Sequence, residues 1–366
     1  MSISVLTLFE SITDPRRESG HYLYSLNELI FLTISGVLCG AEDWVNISEF
    51  GSSQLEWLRK HLPYSNGIPS HDTLGRVFEQ LDSEEFERCF VKWTEQIEDL
   101  TQGELIAIDG KTVCKSHDTT QGKKAIHLVS AFASRNNICI GQVKTSDKSN
   151  EITAIPQLLD LICIQGSVVT IDAMGCQKKI ASHIVEEQAD YVLALKANQE
   201  ELLEEVKQAF KFCVPQEIDK HIDAAHGRVE SRVCELISDL RFVDEARYWK
   251  GLKSVVRITA KRSDKTHHTE QNECRYYITT LTNAKRVNKA VRSHWGIENA
   301  LHWVLDVRFN EDFERKRKGS SPYNLSFITK SVLNMIRLDQ AKGSIKTKRL
   351  KAAWDISTRE RILKLK

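Results

Sequence analysis

A chain of 366 residues that is 41% hydrophobic and 28% charged has a globular composition with room for two or three domains, which excludes disorder and collagen-like repetition. Its longest nearly continuous apolar run, Leu29 to Cys39, falls well short of the roughly 20 residues a membrane span needs. The net charge of +1 excludes nothing as a total, but from Arg315 onward fifteen Lys or Arg face three acids, so a +12 tail follows a body of −11. That asymmetry points to a polyanionic partner, nucleic acid first.

The N-terminus has no basic stretch ahead of its apolar residues and no cleavage pattern. Nine cysteines with no Cys-x-x-Cys pair predict reduced thiols. Both lead to the expectation of a cytoplasmic protein, and a nucleic-acid partner would associate it with the nucleoid.

In chain order, residues 1–100 read as a helical N-terminal domain. Tyr24, Leu26, Leu29, Ile30, Phe31 and Ile34 form a broad apolar face. Helix starts are signalled at Pro69-Ser70 and at Asp82-Ser83-Glu84-Glu85. Beyond Gly103 the period shortens, and strands are predicted at 105–109, 125–133 and 138–145, then a helix from Ile152 to Ile162. A strand at 168–172, a helix through Ile180 and Ile184, and a strand at 191–195 follow. Three strands in a row and then alternation with helices is the order of a ribonuclease-H-like mixed α/β sheet. A dinucleotide fold would alternate throughout and carry a Gly-x-Gly-x-x-Gly turn, which is missing. The region 201–284 opens on a helix over 201–213 and turns strand-rich over about 226–282, an insertion between core segments 101–200 and 285–340. Residues 341–366 complete the basic helical tail.

Asp109 and Asp172 each end an apolar strand. If those strands are neighbours, the two carboxylates can share a divalent ion, because Mg²⁺ takes a few carboxylate oxygens and keeps its waters. Two such ions activate a water or a 3′ hydroxyl and stabilise the leaving oxygen in phosphodiester chemistry. The third carboxylate must come from later in the chain. Glu298 borders the buried stripe Ile297, Leu301 and Val304 of a helix predicted over 291–303, and Asp306, Glu311 and Asp312 are the alternatives. His294, Glu298 and His302 also suggest zinc, although three ligands on one straight helix converge poorly.

The strings I-A-I-D-G-K-T (106–112), T-I-D-A-M-G-C-Q (170–177), Y-V-L-A-L-K-A-N-Q (191–199), H-G-R-V-E-S-R (226–232) and R-S-H-W-G-I-E-N-A-L-H-W-V-L-D-V (292–307) resemble bacterial insertion-sequence transposases. More narrowly, they resemble the H-repeat-associated group that accompanies Rhs elements. D-P-R-R (14–17) and P-S-H-D-T-L-G-R-V-F (69–78) extend the likeness over most of the chain.

The resemblance implies a ribonuclease-H-like core with an Asp-Asp-Glu triad of Asp109, Asp172 and Glu298, split by a β-rich insertion before the Glu helix. It implies Mg²⁺, with Mn²⁺ as the alternative. The implied partners are double-stranded DNA with terminal inverted repeats, target DNA, and a second copy of the chain during synapsis. The wider superfamily carries an Arg and a Lys around the Glu where this chain has His294 and Leu305, so His294, with Arg292 or Arg308 nearby, is a candidate for that DNA grip. Arg228 and Arg232 on one strand face, and the block Arg315, Lys316, Arg317 and Lys318, are candidate backbone contacts. Trp249, Trp295 and Trp303 are candidates for packing or base stacking. The expected function is metal-dependent cleavage at element ends followed by strand transfer. The rivals are a nuclease without strand transfer and a DNA-binding remnant with a decayed site.

Overall fold

The fold, a computed structural model, describes residues 4–16, 22–97, 104–117, 124–145, 150–225, 228–264, 269–313 and 318–365. Six helices come first: α1 (Val5–Leu8), α2 (Leu26–Leu38), α3 (Trp44–Ser53), α4 (Leu55–Leu58), α5 (His71–Gln80) and α6 (Ser83–Glu95). Their starts are set by side-chain caps. Ser25 and Glu28 form a reciprocal capping box on α2, while Ser70 and Asp82 accept backbone N–H groups of α5 and α6. Helix α2 is buried on nearly every side, which explains why its apolar face is so broad.

Strands β1 (Leu105–Thr112), β2 (His127–Ala133) and β3 (Ile138–Lys144) pair antiparallel in sequence order. Helix α7 (Glu151–Leu161) leads to β4 (Val168–Ile171), and α8 (Lys178–Glu186) leads to β5 (Asp190–Leu195). Strand β4 pairs parallel with β1, and β5 parallel with β4. The predicted succession of strands and helices is thus the one observed, in a large mixed sheet.

After α9 (Glu200–Phe212) come β6 (Glu217–Ala225), β7 (Arg228–Ile237), β8 (Ser254–Asp264) and β9 (Thr269–Thr279). These strands interrupt the sequence without interrupting the sheet. Strand β9 pairs antiparallel with β5, giving one nine-stranded sheet in the order β3-β2-β1-β4-β5-β9-β8-β7-β6. Strand β6 lies outside the predicted strand-rich stretch. Its inward positions are acids that bind a helix, so it lacks the apolar alternation of a core strand.

A long helix follows: α10 (Ala284–Gly296), a π-helical turn (Ile297–His302) and α11 (Trp303–Phe309). Helices α12 (Ser321–Leu338), α13 (Ile345–Trp354) and α14 (Ile356–Leu363) complete the chain. One face of the sheet packs Ile106, Ile108, Ile171 and Leu193 against α7 and α8. On the other face Ala107, Leu128 and Phe132 share a core with Leu29, Phe78 and Phe90 from the N-terminal helices and with Ile297, Leu301 and Leu333. Among the described residues no helix is long and apolar enough to cross a membrane. All nine cysteine thiols are free.

The last two helices carry three cations that point inward, Lys348, Arg349 and Arg359. Arg359 is fully buried and donates to the carbonyls of Ala352 and Ala353 and to Gln54. Arg349 donates to the carbonyls of Val37 and Arg308, and Lys348 to those of Ile336 and Asp339. These cations close helix ends that would otherwise leave buried carbonyls unpaired.

Candidate active site

The register of two parallel strands builds the site. Ile108 lies opposite Ile171, so the next residue on each chain is an aspartate, Asp109 on β1 and Asp172 just past β4. Strand alternation points Ala107, Asp109 and Lys111 to the sheet face covered by the long helix. Thr170 and Asp172 share that face, and the Thr170 hydroxyl meets His294 Nδ1 at 3.0 Å. The residue between Asp109 and Lys111 is a glycine in close quarters, where any side chain would push aside the ends of Glu151 and His127. A Cβ on Gly110 would lie 2.1 Å from Glu151 Oε1 and 2.5 Å from His127 Nε2, which are themselves joined at 2.7 Å.

Glu298 sits in the π-helical turn. The predicted stripe holds, with Ile297, Leu301 and Val304 buried and Trp295 and Glu298 exposed. The sequence did not signal this wider turn, a feature frequent at functional sites. One turn on, His302 is buried with its Nδ1 3.6 Å from both Asp109 Oδ2 and Glu298 Oε2. Ligand atoms of Asp109, Glu298 and His302 all lie within 4.8 Å of one another. That constellation differs from the one-helix zinc reading: His294 bonds Thr170 instead, and β1 supplies the third member.

The site is electrostatically tense. Burial and the neighbouring Glu298 carboxylate push Asp109 up to about 8. The His302 ring, with Asp109, holds Glu298 down to about 2. Burial lowers the His294 pKa against the pull of Asp172 and Glu298. Asp172 Oδ1 accepts the N–H groups of Met174 and Gly175, which fixes its turn. A divalent cation fits this donor set, since it would replace the proton that two adjacent carboxylates must otherwise share.

Asp109, Asp172, His294 and Glu298 line a cleft of about 630 Å³ whose walls include Lys196, Lys207, Arg275, Tyr276 and Trp295. Arg275 lies over the Trp295 ring, 5.2 Å from its centroid. The sequence singles out only Trp295 among these; Arg275 and Tyr276 reach the cleft because β9 joins the core sheet.

The alternative third carboxylates are engaged elsewhere. Lys111 ion-pairs with Asp306, with Glu311 at 2.7 Å and with Asp312 at 3.8 Å. Burial opposes the Lys111 ammonium, but Glu311 and Asp306 more than offset it and hold its pKa above the ordinary value. Burial and the neighbouring acids raise Asp306 despite Lys111, as expected where three acids crowd one cation.

The candidate DNA contacts are scattered. Arg232 binds Glu230 at 2.6 Å and Arg292 binds Asp223, yet both line a second pocket beside Trp295 with Arg262 and Asn299. Lys318 is exposed ahead of α12. Arg315, Lys316 and Arg317, and the side chain of Arg228, lie outside the described residues. Trp249 is buried, whereas Trp295 and Trp303 are exposed.

Residues 100–335 match the family described as "Transposase DDE domain", and residues 6–94 match "DDE_Tnp_1-associated". A relative in Escherichia coli O157:H7 that carries a transposase name, YncI, is 42% identical over 99% of this chain and 95% of its own. In strain K12, YhhI, named as H repeat-associated, is 37% identical over 97% of this chain and 96% of its own. Among solved structures, the chain is similar to piggyBac transposase in a synaptic complex with hairpin DNA. The TM-score is 0.49 with 12% identity over 99% of this chain and 80% of that one.

Proposed function

The chain belongs to the Transposase DDE domain family, in its H-repeat-associated group, and from that premise we propose that Asp109, Asp172 and Glu298 form the triad of a polynucleotidyl transferase. In this reading the five-stranded half of the sheet is a ribonuclease-H-like core, the insertion and the N-terminal helices hold DNA, and the chain works at the nucleoid. The site hydrolyses a phosphodiester at the inverted repeats of an insertion sequence and joins the freed 3′ hydroxyl to target DNA, with two copies holding the two ends.

The observation that carries the proposal is the β1–β4 register, which sets two aspartates side by side facing the helix that bears Glu298. Asp109, Asp172 and Glu298 would hold divalent ions, Mg²⁺ or Mn²⁺. Such an ion, when bound, polarises the phosphate and acidifies the attacking hydroxyl. Lys196, Lys207 and Arg275 neutralise the strand entering the cleft, and Trp295 offers it a stacking surface. His294 donates a neutral hydrogen bond toward phosphate. Arg292, Arg232, Arg228 and the Arg315-Lys316-Arg317-Lys318 block contact the backbone further out.

The test uses a pre-cleaved element end and a target duplex. Joined product that is lost in Asp109→Ala, Asp172→Ala and Glu298→Ala supports the proposal. Hydrolysis without joining would reduce the protein to a nuclease, and full activity of the three variants would overturn the site.

A further inference from the structure

We propose that His302 is a direct metal ligand, so that the ion nearest Asp109 is held by two carboxylate oxygens and one imidazole nitrogen. The inference rests on the carboxylate site proposed above and adds a donor that the Asp-Asp-Glu triad lacks. His302 is 5% exposed, and burying an imidazole without partners is costly. Its Nε2 has no hydrogen-bond partner among the described residues. Its Nδ1 meets only the two carboxylates, each at 3.6 Å, beyond hydrogen-bond reach. A ring placed to make a hydrogen bond would stand closer, and one placed to pack would not aim its nitrogen between two acids.

The spacing suits a shared ion. With ligand bonds of about 2.1 Å, adjacent donors in an octahedron stand about 3 Å apart and opposite ones about 4 Å. The observed 3.6 Å separations lie between these values. Ligation through Nδ1 leaves the proton on Nε2, and the Glu311 carboxylate, which feels the His302 charge, has its Oε1 also buried without a hydrogen bond among the described residues, with Lys330 at 3.8 Å. A metal-bound histidine ordinarily directs its second N–H at such a carboxylate.

The sequence supports the same assignment. Glu298 and His302 are four residues apart across the π-helical turn, which keeps both on the side facing β1. Asp172 stands outside this group of three, held in its own turn on the wall of the cleft. A nitrogen donor shifts preference away from Mg²⁺, which demands oxygen, and toward transition metals. The ligand class is therefore a divalent first-row transition ion, with Mn²⁺ favoured over Mg²⁺.

The experiment is pulsed electron paramagnetic resonance of Mn²⁺ bound to the full chain, with binding isotherms for Mn²⁺ and Mg²⁺. The expected result is a ¹⁴N coupling on bound Mn²⁺ that persists in Asp172→Asn and His294→Asn and vanishes in His302→Asn. Mn²⁺ affinity in His302→Asn should fall about tenfold or more, and Mg²⁺ affinity far less. If His302→Asn does not fold, His294→Asn decides: a surviving ¹⁴N coupling supports His302, and a lost one assigns the nitrogen to His294. Mn²⁺ bound in an Asp109-dependent way without ¹⁴N coupling overturns the proposal and leaves the carboxylate site standing. Binding unchanged in Asp109→Asn overturns both.

Discussion

The carboxylate corner and the C-terminal helices are both dense in charge, and they use it in opposite ways. At the corner Asp109 and Glu298 crowd together beside an unbonded His302, and burial with like charge pushes Asp109 up to about 8. In the tail, Arg359, Arg349 and Lys348 are buried on backbone carbonyls that need donors. The first arrangement stores unfavourable interactions that a cation or a phosphate can relieve. The second relieves itself within the fold. A run of like charge in a sequence therefore names no partner until the facing groups are known.

The contrast can be broken most directly at Asp109. Asp109→Ala should lower end cleavage by about 10⁴-fold or more, while the metal-free protein melts about 2 °C higher because a strained carboxyl is gone. A matching loss of stability would show that the corner is built for folding. Arg359→Met is the counterpart in the tail. Urea denaturation should report a loss of about 3 kcal/mol as two carbonyls and Gln54 lose their donor, with the salt dependence of DNA binding unchanged. A smaller effect is expected at the cleft wall. Lys196→Ala should leave the melting curve alone and reduce the slope of log affinity against log salt by about 1.

The smallest effect concerns Asp339. Burial works against its carboxylate, but Arg361 and Lys348 outweigh it and hold its pKa below the ordinary value. A depressed folded pKa means the stabilisation is present above the unfolded value and is lost as pH falls through the folded one. Melting temperatures measured from about pH 5 down to about pH 2 should fall less steeply in Arg361→Gln. An unchanged slope would remove that pair from the tail's account.

What the sequence revealed follows physical range. Strands β1 and β4 were legible because each is a short apolar run ended by Asp, and the caps at Ser70 and Asp82 are local chemistry. The extension of the core sheet was not, since Leu193 and Ile278 are far apart in the chain and no periodicity encodes their pairing. Strand β6 hid because Glu217, Asp219 and Asp223 occupy the positions where a core strand carries apolar residues. His302 was visible only as a member of a one-helix zinc set with His294 and Glu298. Its place against Asp109 depends on how the long helix crosses β1.

Those three acids of β6 grip α10 at successive turns. Glu217 accepts the N–H of Ala284, Asp219 takes Asn288, and Asp223 takes Arg292. From Ala284 to Phe309 the helix runs without a break, a rod of about 39 Å at 1.5 Å per residue. The outermost strand and the Glu298 carboxylate are thus two points on one stiff lever. A load on the far edge of the sheet is transmitted to the cleft as a tilt of the rod, with no loop between them to absorb it.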